Sequence, residues 1–220
     1  ELMNDFGNTF RALSNEQQFR WLGPRKGVVH LGLASVTNAC YDLWAKKSGV
    51  PLWKLLIDLS PEQIVNTLDL SYLEDVLTRE EASDMLSQQQ AAKKEREKII
   101  QQGYPGYDTS VGWFNYDDEQ VRANCKKAIA GGFTAMKLKV GSADPQRDIR
   151  RANIVREVAG DHVKVMLDAN QQWTLPQAIS ICHELKKMNP YWIEEPTHPD
   201  DVLAHQTLAK EIAPVKLALG

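Results

Sequence analysis

Residues 134–142 read TAMKLKVGS, and the reading of this stretch decides the fold. Side chains on a β-strand alternate between its two faces. Met136, Leu138 and Val140 therefore point one way, and Lys137 and Lys139 point together the other way. An apolar face this regular belongs against a core. The cations on the opposite face serve no packing purpose, so the pair is read as chemistry rather than as structure.

Working outward, strand and helix patterns alternate every 25–30 residues or so. GYDTSVGW (106–113) reads as a strand, and 117–131 as a helix with Val121, Cys125, Ala128 and Ile129 on one face. After the lysine strand, Asp144-Pro145 marks the start of a helix running to about Gly160. VKVMLDAN (163–170) is the next strand, 176–188 a helix, YWIEEP (191–196) a strand, 200–212 a helix and VKLAL (215–219) a fifth strand. Such alternation predicts βαβ units and a parallel sheet. No glycine-rich nucleotide motif follows any of the strands. Residues 1–103 instead read as helical, over 28–48, 51–58 and 79–102, and the run QQQAAKKEREKIIQQG (88–103) reads as a solvated helix face. The Gly-Tyr-Pro-Gly at 103–106 marks the boundary between a domain of 1–103 and a domain of 104–220.

Three strand ends in the second domain carry polar residues on schedule. Lys137 and Lys139 end one strand, Asp168 the next and Glu194 the one after, with 29 residues from Lys139 to Asp168 and 26 from Asp168 to Glu194. Equivalent positions in successive βα repeats converge, and in a (β/α)₈ barrel the carboxyl ends of the strands form the active site. Inward carboxylates on neighbouring strands are costly unless a cation joins them, and Mg²⁺ accepts such oxygens. A neighbouring cation and a metal disfavour protonation of a lysine, which makes one lysine a candidate general base while the other stays charged.

Composition excludes several classes. An apolar fraction of 43%, a charged fraction of 25% and a net charge of −3 describe an ordinary globular protein with no global attraction to nucleic acid or anionic membranes. No stretch has the continuous apolar length of a membrane span. The first ten residues show no targeting segment, although the chain opens on Glu1 rather than Met. Cys40, Cys125 and Cys182 are far apart on apolar helical stripes, and all three read as buried free thiols in a reducing compartment. His198 and His205 are expected to face solvent beside a helix capped by Asp200 or Asp201.

KLKVG (137–141), LDAN (167–170) and WIEEP (192–196) resemble the second, third and fourth barrel strands of the enolase superfamily, in its mandelate-racemase-like branch. ASVTNACYDLWAKKSGVPLWKLL (34–56) is similar to that branch's capping-domain signature. WLGPRKGVVHLGLA (21–34), the insert 61–103 and the approach to the first strand resemble its L-fuconate dehydratases. The resemblance implies a partial (β/α)₈ barrel, of about four βα units and the start of a fifth strand, preceded by the helical part of a capping domain. It makes Asp168 and Glu194 ligands of Mg²⁺, Lys139 the base that removes the proton α to a carboxylate and Lys137 its electrostatic partner. It also places Asn170 near the metal and the substrate; Trp113, at the end of the first strand, reads either as lining the pocket or as a core tryptophan, and Glu195, of opposite parity, as supporting or structural. The implied activity is a carbon–oxygen lyase converting L-fuconate to 2-keto-3-deoxy-L-fuconate. Dehydration or racemisation of another acid sugar, or a non-catalytic interaction isoform, is the alternative.

In that family a third metal-binding Glu and a His general acid come from later strands. One more interval beyond Glu194 falls just past Gly220, so these 220 residues alone are expected to be inactive or nearly so. The implied partner is a small sugar acid, with neither nucleic acid nor membrane, and the full-length protein is expected to form a homo-oligomer. The expected compartment is the mitochondrion for an animal protein and the cytoplasm otherwise, without secretion.

Overall fold

The structure, a computed structural model, describes residues 2–22 and 27–219. Residues 23–26 of the WLGPRKGVVHLGLA stretch, and Gly220, lie outside the described residues. The chain divides into two compact units, Glu1–Tyr104 and Pro105–Gly220. Among the described residues no helix is long and apolar enough to cross a membrane.

The first unit is helical: α1 (Phe6–Ser14), α2 (Val28–Ser48), α3 (Leu52–Asp58), α4 (Pro61–Val65), α5 (Arg79–Gln88) and α6 (Lys93–Gln101). Reciprocal capping boxes start two of them, Ser60 with Gln63 at α4 and Thr78 with Glu81 at α5. The sequence pattern did not predict α1 or α4, and 79–102 is two helices joined by a 3₁₀ turn at Gln90–Ala92 rather than one. The charged run is not wholly solvated. Glu97 pairs with Lys54 at 2.9 Å and Lys93 with Asp58 at 3.4 Å, both on α3. Cys40 is half-buried, a correction to the reading of three buried thiols: the stripe it occupies on α2 also leaves Val36 and Leu43 exposed.

The second unit alternates β1 (Asp108–Gly112), α7 (Asp118–Ala130), β2 (Ala135–Lys139), α8 (Pro145–Ala159), β3 (Lys164–Asp168), α9 (Leu175–Leu185), β4 (Trp192–Glu194), α10 (Val202–Glu211) and β5 (Lys216–Ala218). All four strand pairings are parallel, and spatial order equals chain order, β1 through β5. βαβ crossovers share one hand, so strands added always in the same direction carry their helices on the same face. A doubly wound sheet, by contrast, reverses its strand order to cover both faces. This sheet therefore has a helix-covered face and a face free of its own helices, which is the arrangement of a barrel.

Sequence sets each helix start. Asp117 accepts from the Gln120 N–H at 2.7 Å, Asp144 from Gln146 at 3.0 Å ahead of Pro145, and Asp201 from Ala204 at 2.9 Å. Beneath the helices, Met136, Leu138, Val140, Val165, Leu167 and Ile193 are fully buried against Val121, Cys125, Val155, Ala178, Cys182 and Leu208. Burying each large apolar side chain contributes about 1.5–3 kcal/mol. That row turns the other side chains of the same strands inward, and so builds the site.

Candidate active site

Register aligns the site. Lys139 pairs with Asp168 across β2–β3, and Asp168 with Glu194 across β3–β4, so the three side chains stand in one row at the carboxyl ends of the strands. Lys137 stands one row below, opposite Met166. The Lys139 ammonium donates to Asp168 Oδ2 at 2.6 Å and to Asn170 Oδ1 at 2.7 Å. Lys137 Nζ lies 2.9 Å from Glu194 Oε1 and 3.2 Å from Asp168 Oδ2, bridging the two carboxylates. The indole N–H of Trp192 donates to Glu194 Oε2 at 3.0 Å. Trp113 is 45% exposed, so it is no core tryptophan, and Lys139 Nζ sits 5.7 Å from its ring centre.

The charges hold one another. Burial alone would raise the Asp168 pKa, but hydrogen bonds from Lys139 and the Asn170 N–H, with the Lys139 charge, hold it below the ordinary carboxylate range. Burial likewise works against the Lys137 ammonium. Its hydrogen bonds to Glu194 and Asp168 outweigh that and push its pKa above the usual lysine value. Lys137 is thus a cation held in place.

The backbone around the row is tightly specified. Asn170, Gln171 and Glu195 all have positive φ, at 47°, 66° and 45°, a conformation that costs a non-glycine residue energy and is kept where the surroundings enforce it. Here the Glu195 carboxylate accepts from Asn170 Nδ2 at 3.3 Å and Gln171 Nε2 at 3.1 Å, while its carbonyl accepts from the Gln171 N–H at 2.6 Å. Gly141 has φ +96°, and a Cβ there would stand 2.5 Å from the Ala169 carbonyl oxygen. Beneath these loops α8 supplies two fully buried charges. Asp148 Oδ2 accepts from the Gly141 and Ser142 N–H groups at 2.8 and 2.7 Å, and Arg151 donates to the Trp113 carbonyl at 2.5 Å and the Lys139 carbonyl at 3.2 Å.

Every residue singled out in the sequence for the site lies in this constellation: Lys137, Lys139, Asp168, Asn170, Glu194 and Trp113. Sequence reasoning passed over Trp192, although its i, i+2 spacing to Glu194 was the available signal, and over Arg151, which lies within a helix pattern. His205 is a correction. It is 5% exposed, its Nδ1 lies 2.8 Å from the Asp201 carbonyl and its Nε2 3.2 Å from Thr197 Oγ1, so it pins the loop after β4 instead of facing solvent. A carbonyl can only accept, so Nδ1 carries a proton and donates to Asp201.

As to a metal, Asp168 and Glu194 offer adjacent hard oxygen donors, and the Lys137 ammonium already marks a place between them favourable to positive charge. Among the described residues no group of three His, Cys, Asp or Glu side chains could hold a metal ion. Mg²⁺ is commonly held by one or two carboxylates, with water or substrate completing its shell, so the pair fits that ion.

A parallel sheet in chain order with an acid–lysine row at the carboxyl ends of its strands has the layout of a (β/α) barrel, the class of fold whose active sites lie at that end. Residues 120–220 match the enolase C-terminal domain-like family. Over the whole chain it is 46% identical to human mitochondrial enolase superfamily member 1, covering 50% of that protein, and it superposes on the crystal structure of that human protein with a TM-score of 0.89 over 99% of this chain and 49% of the other. It is 41% identical, again over its whole length and 49% of the relative, to L-galactonate dehydratase of Hypocrea jecorina. A crystal structure of L-talarate/galactarate dehydratase from Salmonella typhimurium, liganded with Mg and L-lyxarohydroxamate, matches 52% of this chain and 29% of its own at 38% identity and a TM-score of 0.50. The chain belongs to the enolase superfamily, and its sheet is part of an α/β barrel. It spans about half the length of the curated relatives it matches.

Proposed function

We propose that the protein to which this chain belongs is a Mg²⁺-dependent acid-sugar dehydratase, and that its substrate is L-fuconate, converted to 2-keto-3-deoxy-L-fuconate. The observation that supports this reading best is the single row of Lys139, Asp168 and Glu194 with Lys137 bridging the two acids. In this reading Asp168 and Glu194 hold the ion, which supplies Lewis-acid stabilisation of negative charge when bound. Lys139, as the free amine, accepts the C2 proton. Lys137, kept cationic by its partners, faces the negative charge that develops on the substrate carboxylate. The C3 hydroxyl departs as water with a proton from a general acid, and the enol product tautomerises to the 2-keto acid. Asn170, 2.7 Å from Lys139, orients the amine, and the Trp113 ring screens its flank.

The helical unit is read as part of a capping domain, and the working form as a homo-oligomer. The mitochondrion is the compartment read for an animal protein, from the name of the human relative. Dehydration of L-galactonate is the second reading, favoured by the similarity to the Hypocrea jecorina enzyme. The full-length protein with Mg²⁺ and a panel of aldonic and aldaric acids separates them by release of 2-keto-3-deoxy acid. Turnover of L-fuconate above the rest is expected. Turnover of other acids alone would replace the substrate, and none at all would overturn the dehydratase reading.

A further inference from the structure

We infer that Trp192 is a positioning residue that fixes Glu194 as a one-oxygen donor for the metal; this rests on the metal-site reading above. Trp192 and Glu194 are two apart on β4 and share a face of the sheet. The indole N–H holds Oε2 at 3.0 Å, which leaves Oε1 turned toward Lys137 and Asp168. An indole can donate but not accept. It therefore fixes which oxygen faces the Lys137 ammonium and the proposed metal position, without adding a charge that would compete with a cation for the carboxylate.

Two rings pack against the indole. Tyr107 meets it edge-on, with centroids 6.2 Å apart at 87°, and Tyr191 packs at 5.3 Å. Tyr107 also receives the Lys137 ammonium at 5.4 Å from its ring centre. The Lys137–Glu194 pair thus rests on an aromatic floor, with each member held by one ring. Groups that orient a ligating carboxylate in this way carry metal affinity, and their loss typically lowers it by about 10–100-fold.

The test uses the full-length protein and measures Mg²⁺ binding by calorimetry and Mn²⁺ binding by electron paramagnetic resonance, both without substrate. Trp192→Phe removes the donor. Incorporating 3-benzothienylalanine at position 192 removes it while keeping the shape of the indole, so a folding failure of the phenylalanine variant leaves the test intact. Both changes are expected to weaken metal binding by about 10–100-fold, with raised Mg²⁺ recovering the greater part of any lost turnover. Unchanged affinity in the benzothienyl protein overturns the inference. Glu194→Gln separates the two levels. If it loses metal binding while the position-192 proteins do not, only the role of Trp192 falls. If it binds metal like the parent, the metal site and the inference built on it fall together.

Discussion

On its helix-covered face the sheet presents Met136, Leu138, Val140, Val165, Leu167 and Ile193, each without exposed surface. On the other face the same strands present Lys137, Lys139, Asp168 and Glu194, joined by hydrogen bonds of 2.6 and 2.9 Å. The apolar face is non-directional: it tolerates many side chains of the right volume. The polar face is directional, since removing one member leaves another buried charge short of a partner. The two share every backbone atom, so the stable face fixes the geometry of the reactive one.

Neighbouring substitutions on β2 test this division most strongly. On the proposed assignment of Lys139 as the base, Lys139→Ala in the full-length protein is expected to lower turnover of the proposed acid-sugar substrate by about 10²–10⁴-fold, the range for loss of a general base. The fold should survive, because Asp168 keeps Lys137 and the Asn170 N–H. Leu138→Ala, one residue away, is expected to cost about 2–5 kcal/mol in chemical denaturation and to leave the activity per folded molecule near the parent value. A reversal of the two profiles would break the comparison.

A pH experiment sharpens the helix-covered side. Burial pushes the Cys182 thiol up to about 12 from a reference of 9.0. The folded state therefore retains a proton that the unfolded chain gives up first. The stability this confers is fully present below pH 9 and is lost as pH rises toward 12, with a slope of up to about 1.4 kcal/mol per pH unit. Cys182→Ala should lose that part of the slope in alkaline denaturation, and native Cys182 should resist thiol reagents at pH 8 while half-buried Cys40 reacts.

The smallest effect is expected where the same chemistry is exposed. Arg122 and Glu157 form an ion pair at 3.1 Å between α7 and α8, with Glu157 67% exposed. Arg122→Ala should change stability by less than about 1 kcal/mol, and less still in high salt. A large loss here would mean that burial is not what distinguishes the inner charges.

The inner row was legible in the sequence because a two-residue period and a βα repeat are local quantities. Lys137 and Lys139 declared their face by alternation, and Asp168 and Glu194 their place by spacing. What depends on partners distant in sequence was not legible. The direction of the Trp192 indole is set by Tyr107, and the burial of His205 by its bond to Thr197. Arg151 reads as one more charge on an exposed helix until the Trp113 and Lys139 carbonyls are seen to converge on it. In the helical unit, α1 and α4 span nine and five residues, too short for a periodic signal to emerge.

The alternation along β2 also makes length, not only identity, an inherited requirement. An in-frame loss of the single codon for Leu138 would leave both lysines in the gene yet send one of them to each side of the sheet. Such an allele would look nearly intact to a residue-by-residue comparison while placing an ammonium among aliphatic side chains. Within this segment a missing triplet should be purged more strictly than a changed one, and natural length variation should gather in the connections between strand and helix.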